Sequence, residues 1–160
     1  MLSAEPLLGL AEIAIALAGF SAIVVVLKRG QSGCWKAADA DRFHGMVVHA
    51  VCAVLFCLLP NLIDIVVQDA VTTLHICAAL LGVQIILHAA NVMRMPTTSN
   101  GARGALAFGI CIGFTQFAAF SDWGVNRELQ FYVLGIIWHI IQAGVLFIML
   151  VWIRDDDIKR

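Results

Sequence analysis

The chain has 160 residues, of which 61% are hydrophobic and 13% charged, with a mean hydropathy of +0.92 and a formal net charge of -1. Soluble domains are roughly half apolar and a quarter charged, so this composition excludes an ordinary water-soluble domain. Because a membrane-spanning helix takes about 20 residues, the length allows at most five or six spans and no separate soluble domain. We therefore predict one transmembrane domain over residues 1–160.

The first apolar segment covers residues 6–27 and ends at Lys28 and Arg29. The residues before it contain no Lys or Arg, and basic residues follow it directly. This pattern is typical of an anchor whose N-terminus is exported. The alternative is a signal peptide cleaved after the Ala16-Leu17-Ala18 sequence.

Glu12 lies inside this first segment, about 9 Å from its start by helix rise. Ala16 and Gly19, on the same helix face, are small enough to let another helix approach closely. A carboxyl group at this depth is expected either to bind a proton or cation, or to hydrogen-bond to a neighbouring helix.

The second and third segments cover residues 43–67 and 70–93, and only Gln68 and Asp69 separate them. Pro60 is expected to kink the second helix and to leave a backbone carbonyl free near Asn61 and Asp64. Asp64 and His75 fall at a depth similar to that of Glu12, so these three residues could form one polar group. Asp64 could equally reach water at the membrane interface.

The third segment carries a polar stripe, because Gln84, His88 and Asn91 recur at positions i, i+4 and i+7 of one helix face. His49 in the second segment is expected at the same depth as His88, since each lies six or seven residues from a basic residue at the segment end. Two histidines at equal depth on neighbouring helices could be axial ligands of haem b. Hydrogen bonding between helices is the commoner role for intramembrane histidines.

The fourth segment, residues 103–121, is short and rich in glycine. Gly109 and Gly113 form a GxxxG pattern, which predicts close helix packing. The fifth segment covers residues 129–153. In it, His139 and Gln142 lie at i and i+3 and are expected to face the Gln84 region.

The distribution of basic residues predicts five spans, with the N-terminus outside and the C-terminus in the cytoplasm. Five spans place nine of the ten basic residues on one side and Arg127 alone on the other. Without the fourth span the ratio falls to seven against three. The expected fold is therefore an all-α bundle of five transmembrane helices, multi-pass in a cell inner membrane.

No phosphate-binding glycine loop, HExxH or GxSxG motif occurs in the sequence, so no enzyme class is indicated. The leading hypothesis is a channel- or transporter-like protein that moves protons or a small solute. The residues predicted to bind the proton or solute are Glu12, Asp64, His75, Gln84, His139 and Gln142. One alternative is a non-catalytic membrane subunit or sensor that acts through helix–helix contacts, and another is a haem-binding electron carrier that uses His49 and His88.

The expected partners follow from the same composition. They are the lipid bilayer and either further copies of the chain or other membrane proteins, and no nucleic acid. No metal site is predicted. The five cysteines, which lie mostly inside apolar runs, are expected to be buried small apolar side chains.

Overall fold

The computed structural model describes residues 5–32, 37–94, 100–120 and 127–152. These ranges form five α-helices and one 3₁₀ segment, with no strand among them, which confirms the expected all-helical fold. The elements are α1 (Glu5–Ser32), α2 (Ala37–Val67), α3 (Ala70–Met93), α4 (Asn100–Thr115), the 3₁₀ segment (Gln116–Phe120) and α5 (Glu128–Trp152).

Four of these helices, α1, α2, α3 and α5, are long and apolar enough to cross a membrane. The α4 helix has 16 residues and is about 24 Å long at 1.5 Å per residue. The 3₁₀ segment of five residues continues it and adds about 10 Å, because a 3₁₀ helix rises about 2.0 Å per residue. Together the two reach about the thickness of the hydrocarbon core of a bilayer, roughly 30 Å.

The helix bounds follow the apolar segments most closely where a turn fixes them. The α3 helix covers the predicted residues 70–93. The α2 helix begins at Ala37, earlier than the predicted residue 43. Its polar first turn is also helical, since Arg42 Nη1 pairs with Asp39 Oδ1 at 3.0 Å. The α1 helix likewise continues past the predicted residue 27, to Ser32.

Two residues form the turn between α2 and α3: one ends α2, and the other caps the start of α3. Gln68 has a φ of 55° and ends α2, its N–H donating to the Asp64 carbonyl at 3.0 Å. Asp69 caps the start of α3 by accepting a hydrogen bond from the Thr72 N–H at 2.8 Å. Hydrogen bonds from the Thr72 hydroxyl and N–H hold the pKa of Asp69 below its ordinary value.

Contacts between side chains show how the helices run relative to one another. The α2 and α3 helices are antiparallel, since His49 meets His88 and Asp64 meets Thr73. The α5 helix is antiparallel to α2, and the α4 helix is antiparallel to both α3 and α5. The result is an up-and-down bundle whose core is formed mainly by α2, α3 and α5, with Leu7, Ala11 and Ala14 of α1 and Ile112 of α4.

Pro60 frees a different carbonyl from the one expected. Because proline has no N–H, it cannot donate to the carbonyl four residues earlier, which belongs to Phe56 rather than to the Asn61–Asp64 turn. The fully buried Tyr132 of α5 donates its hydroxyl to the Phe56 oxygen at 2.5 Å. The helix bond that α2 lacks is thus replaced by a bond from α5.

Glycines bring α4 close to its two neighbours. Gly113 faces Gly82 and Ile86 of α3, and a Cβ at Gly113 would lie 2.6 Å from Ile86 Cγ1. Gly109 packs against Trp138 of α5. Both glycines of the GxxxG pattern therefore lie at helix contacts within one chain.

Candidate functional site: a histidine cluster in the bundle core

Three histidines from three helices meet inside the bundle. His49 of α2 and His139 of α5 are joined by their Nδ1 atoms at 3.0 Å, and we call them the histidine pair. The ring of His88, from α3, meets the His49 ring edge to face, with centroids 4.9 Å apart. The pair is almost inaccessible, since His49 is 6% and His139 1% exposed. We refer to the pair together with His88 and Gln84 as the histidine cluster.

Gln84 extends the pair by two further hydrogen bonds. Its Oε1 lies 2.9 Å from His139 Nε2, and its Nε2 donates to the Cys52 thiol at 3.7 Å. Gln84 thus connects the far side of the His139 ring to α2, and it fixes which way that ring faces. The His139–Gln84 contact is the one that the polar stripe of α3 led us to expect.

These contacts set the hydrogen positions in the neutral rings. Gln84 Oε1 can only accept, so His139 Nε2 carries the hydrogen and His139 Nδ1 has a lone pair. His49 Nδ1 must then donate to His139 Nδ1. The remaining ring nitrogen, His49 Nε2, has a lone pair and makes no hydrogen bond within the described part of the chain.

Exposure rises along α3 away from the pair. Gln84 and His88 are half-buried, and Asn91, one turn further on, is exposed. These residues lead toward the end of the bundle where Arg42 and Arg94 lie, which we call the basic end. The polar stripe of α3 therefore runs from the histidine pair to that end.

Apolar side chains cover the pair on its other sides. The Phe56 ring lies parallel to the His139 ring, with centroids 6.4 Å apart, on the side facing away from the basic end. Met46 and Ala143, both fully buried, pack between the pair and the basic ends of α2 and α5. The open groove between α1 and α2, about 230 Å³, is lined only by apolar side chains.

The other predicted polar residues lie outside this cluster. Glu12 is exposed on the outer surface of α1, and among the described residues no hydrogen bond or ion pair joins it to Asp64 or His75. Asp64 accepts a hydrogen bond from the Thr73 hydroxyl at 3.5 Å. The His75 ring stacks on Phe120 at 4.7 Å. Gln142 is half-buried on α5, one turn from His139.

The described cysteines differ in exposure, and Cys52 is half-buried. Cys57 and Cys77 are fully buried, and Cys77 lies within hydrogen-bonding reach of the Tyr132 hydroxyl. Cys111 is exposed on α4, contrary to the expectation that it is buried, because it points away from α3 and α5. Cys34 lies outside the described residues.

The arrangement of His49 and His88 does not fit haem b. A porphyrin must pass between two axial imidazoles, with one nitrogen of each directed at the iron. Here the two rings meet edge to face at 4.9 Å, and His49 Nδ1 is bonded to His139 instead. Within the described ranges, no group of three or more His, Cys, Asp or Glu residues has a geometry that could hold a metal ion.

Sequence reasoning missed the bond between His49 and His139. The signal was present, because Phe56 and Tyr132 lie seven residues from His49 and His139 respectively. Two antiparallel helices joined at Phe56 and Tyr132 must also meet two turns away, at the two histidines. The pairing of the two histidines can be predicted only if Tyr132 is known to donate to the Phe56 carbonyl that Pro60 leaves unbonded.

The chain matches no known family, no curated protein and no solved structure.

Proposed function

We propose that this chain is a small multi-pass membrane protein that moves protons, with the histidine pair as its proton-binding group. The observation that supports this most directly is the Nδ1–Nδ1 hydrogen bond of 3.0 Å between two buried imidazoles. Imidazole is the side chain whose charge most readily changes near neutral pH, and histidine serves as a proton shuttle for that reason. Ionisable groups inside membrane bundles also commonly mark proton pathways.

The histidine pair can bind one additional proton and still keep the Nδ1–Nδ1 hydrogen bond between its two rings. A proton that arrives at His49 Nε2 turns that ring into an imidazolium, which still donates through Nδ1 to His139. A second proton on the pair would place two N–H donors face to face, and the bond would break. The pair is therefore suited to carry a single proton at a time.

The same bond lets the charge cross from one helix to another. When the shared proton moves from His49 Nδ1 to His139 Nδ1, His139 becomes the imidazolium, and His49 is left neutral with its hydrogen on Nε2. His139 keeps its Nε2–H bonded to Gln84 throughout. The transfer requires no rotation of either ring, only movement of one proton along a 3.0 Å hydrogen bond.

The membrane arrangement belongs to the same proposal. It has five spans, with the N-terminus outside and the basic end in the cytoplasm of a cell with an inner membrane. The four long helices support the multi-pass arrangement, and the combined length of α4 and the 3₁₀ segment supports the fifth span. The excess of basic residues at one side supports the orientation.

The proposal is tested by reconstituting the protein in liposomes that enclose a pH-sensitive dye, with a potassium diffusion potential to drive proton entry. The parent should acidify the lumen, and His139→Gln should abolish this acidification, because glutamine keeps a hydrogen-bonding group but cannot carry the proton. His44→Gln is the matched control, since His44 is exposed near the start of α2. An equal flux in the parent and in His139→Gln, or no flux in the parent, would overturn the proposal.

A second candidate function, a subunit or sensor in a larger membrane assembly, is favoured by the position of Glu12. Its carboxyl group is exposed at a depth where lipid cannot solvate it, and Gly9 and Gly19 on the same helix have no atom within 4 Å of a Cβ built there. A second copy of the chain packing along α1 would cover this face. Gly19→Ile should then reduce the mass measured by light scattering in detergent, whereas Gly104→Ile should not. A monomeric parent would rule out an assembly built from further copies of the chain.

A further inference from the structure

The histidine pair has a polar connection toward only one end of the bundle. Three polar side chains lead away from it along α3, namely Gln84 and His88, which are half-buried, and Asn91, which is exposed. The first is bonded to His139, and the second contacts His49. The third is exposed at the basic end, close to Arg94.

In the other directions the pair is covered by apolar groups. The Phe56 ring lies over His139, and the Tyr132 hydroxyl is already bonded to the Phe56 carbonyl, so it cannot donate toward the pair. Met46 fills the space toward the start of α2. Among the described residues, the hydrogen bonds of the pair are the one between its two rings and the one to Gln84, so none connects it to the side chains beyond Phe56.

We infer that His88 is the residue through which the histidine pair exchanges protons, and that in this conformation the exchange is with the basic end alone. This inference rests on the proposed proton-binding role of the pair and adds its route and its sidedness. His88 is half-buried, and its ring meets the His49 ring edge to face. The nitrogen that must receive the proton is His49 Nε2, because Nδ1 of His49 and both nitrogens of His139 are already bonded.

In the relay through His88, each proton that the ring takes up is matched by one that it releases. One ring nitrogen of His88 takes a proton from water at the basic end, and the other nitrogen releases a proton to His49 Nε2. The neutral His88 that remains is the other tautomer, and a ring flip or return of a proton restores it. The titratable groups that act electrostatically on His49 and His139 within the described ranges are these three imidazoles, and no carboxylate is among them.

One-sided access distinguishes the protein from an open channel. A channel needs a continuous hydrogen-bonded path across the membrane, whereas here the path ends at His139. A proton bound by the pair leaves by His88 again, unless the bundle changes conformation and uncovers the Phe56 side. The arrangement therefore fits a carrier better than an open channel.

The experiment measures proton exchange at the pair directly, with ¹⁵N-histidine-labelled protein in nanodiscs and NMR detection. The bonded N–H of the pair is followed after transfer into D₂O. His88→Ala should slow its exchange roughly 100-fold, the size of effect typical for loss of a proton-transfer group. Adding imidazole to the buffer should restore the rate, because free imidazole can fill the space that the substitution leaves. His75→Ala is the control, since His75 stacks on Phe120 outside the cluster.

The outcomes separate this inference from the proposed function. Unchanged exchange in His88→Ala would overturn the inference, even if His139→Gln abolishes flux in liposomes. Slow exchange that imidazole does not restore would also overturn it, since a merely structural change would then explain the effect. Slow exchange with rescue would support the role of His88, even if the parent shows no flux and the transport proposal fails. If His88→Ala does not fold, His88→Gln is measured in its place and should also exchange slowly.

Discussion

Gly82 of α3 and Gly113 of α4 bring two helix backbones into contact. A Cβ at Gly82 would lie 2.8 Å from the Gly113 carbonyl oxygen, a distance that only a shift of the backbone could relieve. Close approach of this kind is how membrane helices gain packing energy where the hydrophobic effect is absent. The contact also holds α4 against the helix that carries Gln84 and His88.

We expect Gly82→Ala to destabilise the bundle by about 1–3 kcal/mol, the usual cost of overpacking. The free energy of unfolding can be measured by titration with SDS in mixed micelles. Gly144→Ala in α5 is the control, because nothing lies within 4 Å of its Cβ position. It should leave stability unchanged or raise it slightly, since alanine favours the helix. An equal effect of both substitutions would show that α3 and α4 are not in contact.

The bond between Tyr132 and Phe56 predicts a specific coupling with Pro60. Tyr132→Phe should cost about 1–3 kcal/mol, because it leaves the buried Phe56 carbonyl without a donor. In Pro60→Ala the new N–H can donate to that carbonyl, so Tyr132→Phe should cost less in this background. A double-mutant cycle on unfolding free energies measures the difference. Strictly additive effects would contradict the proposed compensation.

Asp69 predicts a pH-dependent contribution to the stability of α3. Since its pKa in the folded state lies below the ordinary value of 3.8, its capping bonds stabilise the fold above that value and are lost as pH falls through the folded pKa. Asp69→Ala should be less stable than the parent at neutral pH. The difference in stability between the parent and Asp69→Ala should disappear as the pH falls through the folded-state pKa of Asp69. Thermal unfolding at a series of pH values measures this difference. Asp69→Asn should retain the cap without this pH dependence, and a gap that stays constant with pH would refute the assignment.

The backbone conformation of Gln68 leads us to expect that glycine at this position would stabilise the turn. Its φ of 55° is unfavourable for a residue with a Cβ, and glycine is the residue that commonly ends helices in this conformation. We expect Gln68→Gly to raise the free energy of unfolding by up to about 1 kcal/mol. Gln130→Gly, on the exposed side of α5, should instead destabilise by roughly that amount. A loss of stability in Gln68→Gly would mean that the side chain contributes more than its conformation costs.

The proposed topology predicts the location of reporter fusions. Fusions after residues 36, 95 and 160 should report the cytoplasm, and fusions after residues 69 and 122 should report the outer side. The fusion after residue 122 is the decisive one, because it depends on α4 and the 3₁₀ segment crossing the membrane. A cytoplasmic signal there would leave only the four long helices as spans.

Much of the fold could be predicted from the sequence, because apolar length directly reflects the thickness of a bilayer. The bounds of α3 followed from its segment and from the two residues that precede it. The start of α2 did not, since its first turn is polar and hydropathy says nothing about helices outside the hydrocarbon. Counting residues from the basic ends placed His49 and His88 at one level, and their rings are 4.9 Å apart.

The candidate site was harder to predict, because the depth of a residue in the membrane does not determine which neighbouring helix its side chain faces. Depth made a group of Glu12, Asp64 and His75 plausible, but Glu12 is exposed on α1. His139 was expected near Gln84, which it contacts, but its bond to His49 depends on the rotation of α2 and α5 about their axes. An apolar helix gives little indication of which face lies inward, since lipid and core accept the same side chains.

Phe56 has a consequence for how the bundle could move. It is the residue whose carbonyl α2 leaves unpaired, and its ring is also the cover of His139. In the carrier that we propose, the bond from Tyr132 of α5 would have to break for α2 to bend at Pro60, one turn beyond Phe56. Releasing that single hydroxyl would let the two halves of α2 bend apart at the place where the ring closes off the histidine pair. Opening the far side of the site and flexing α2 would then be one event.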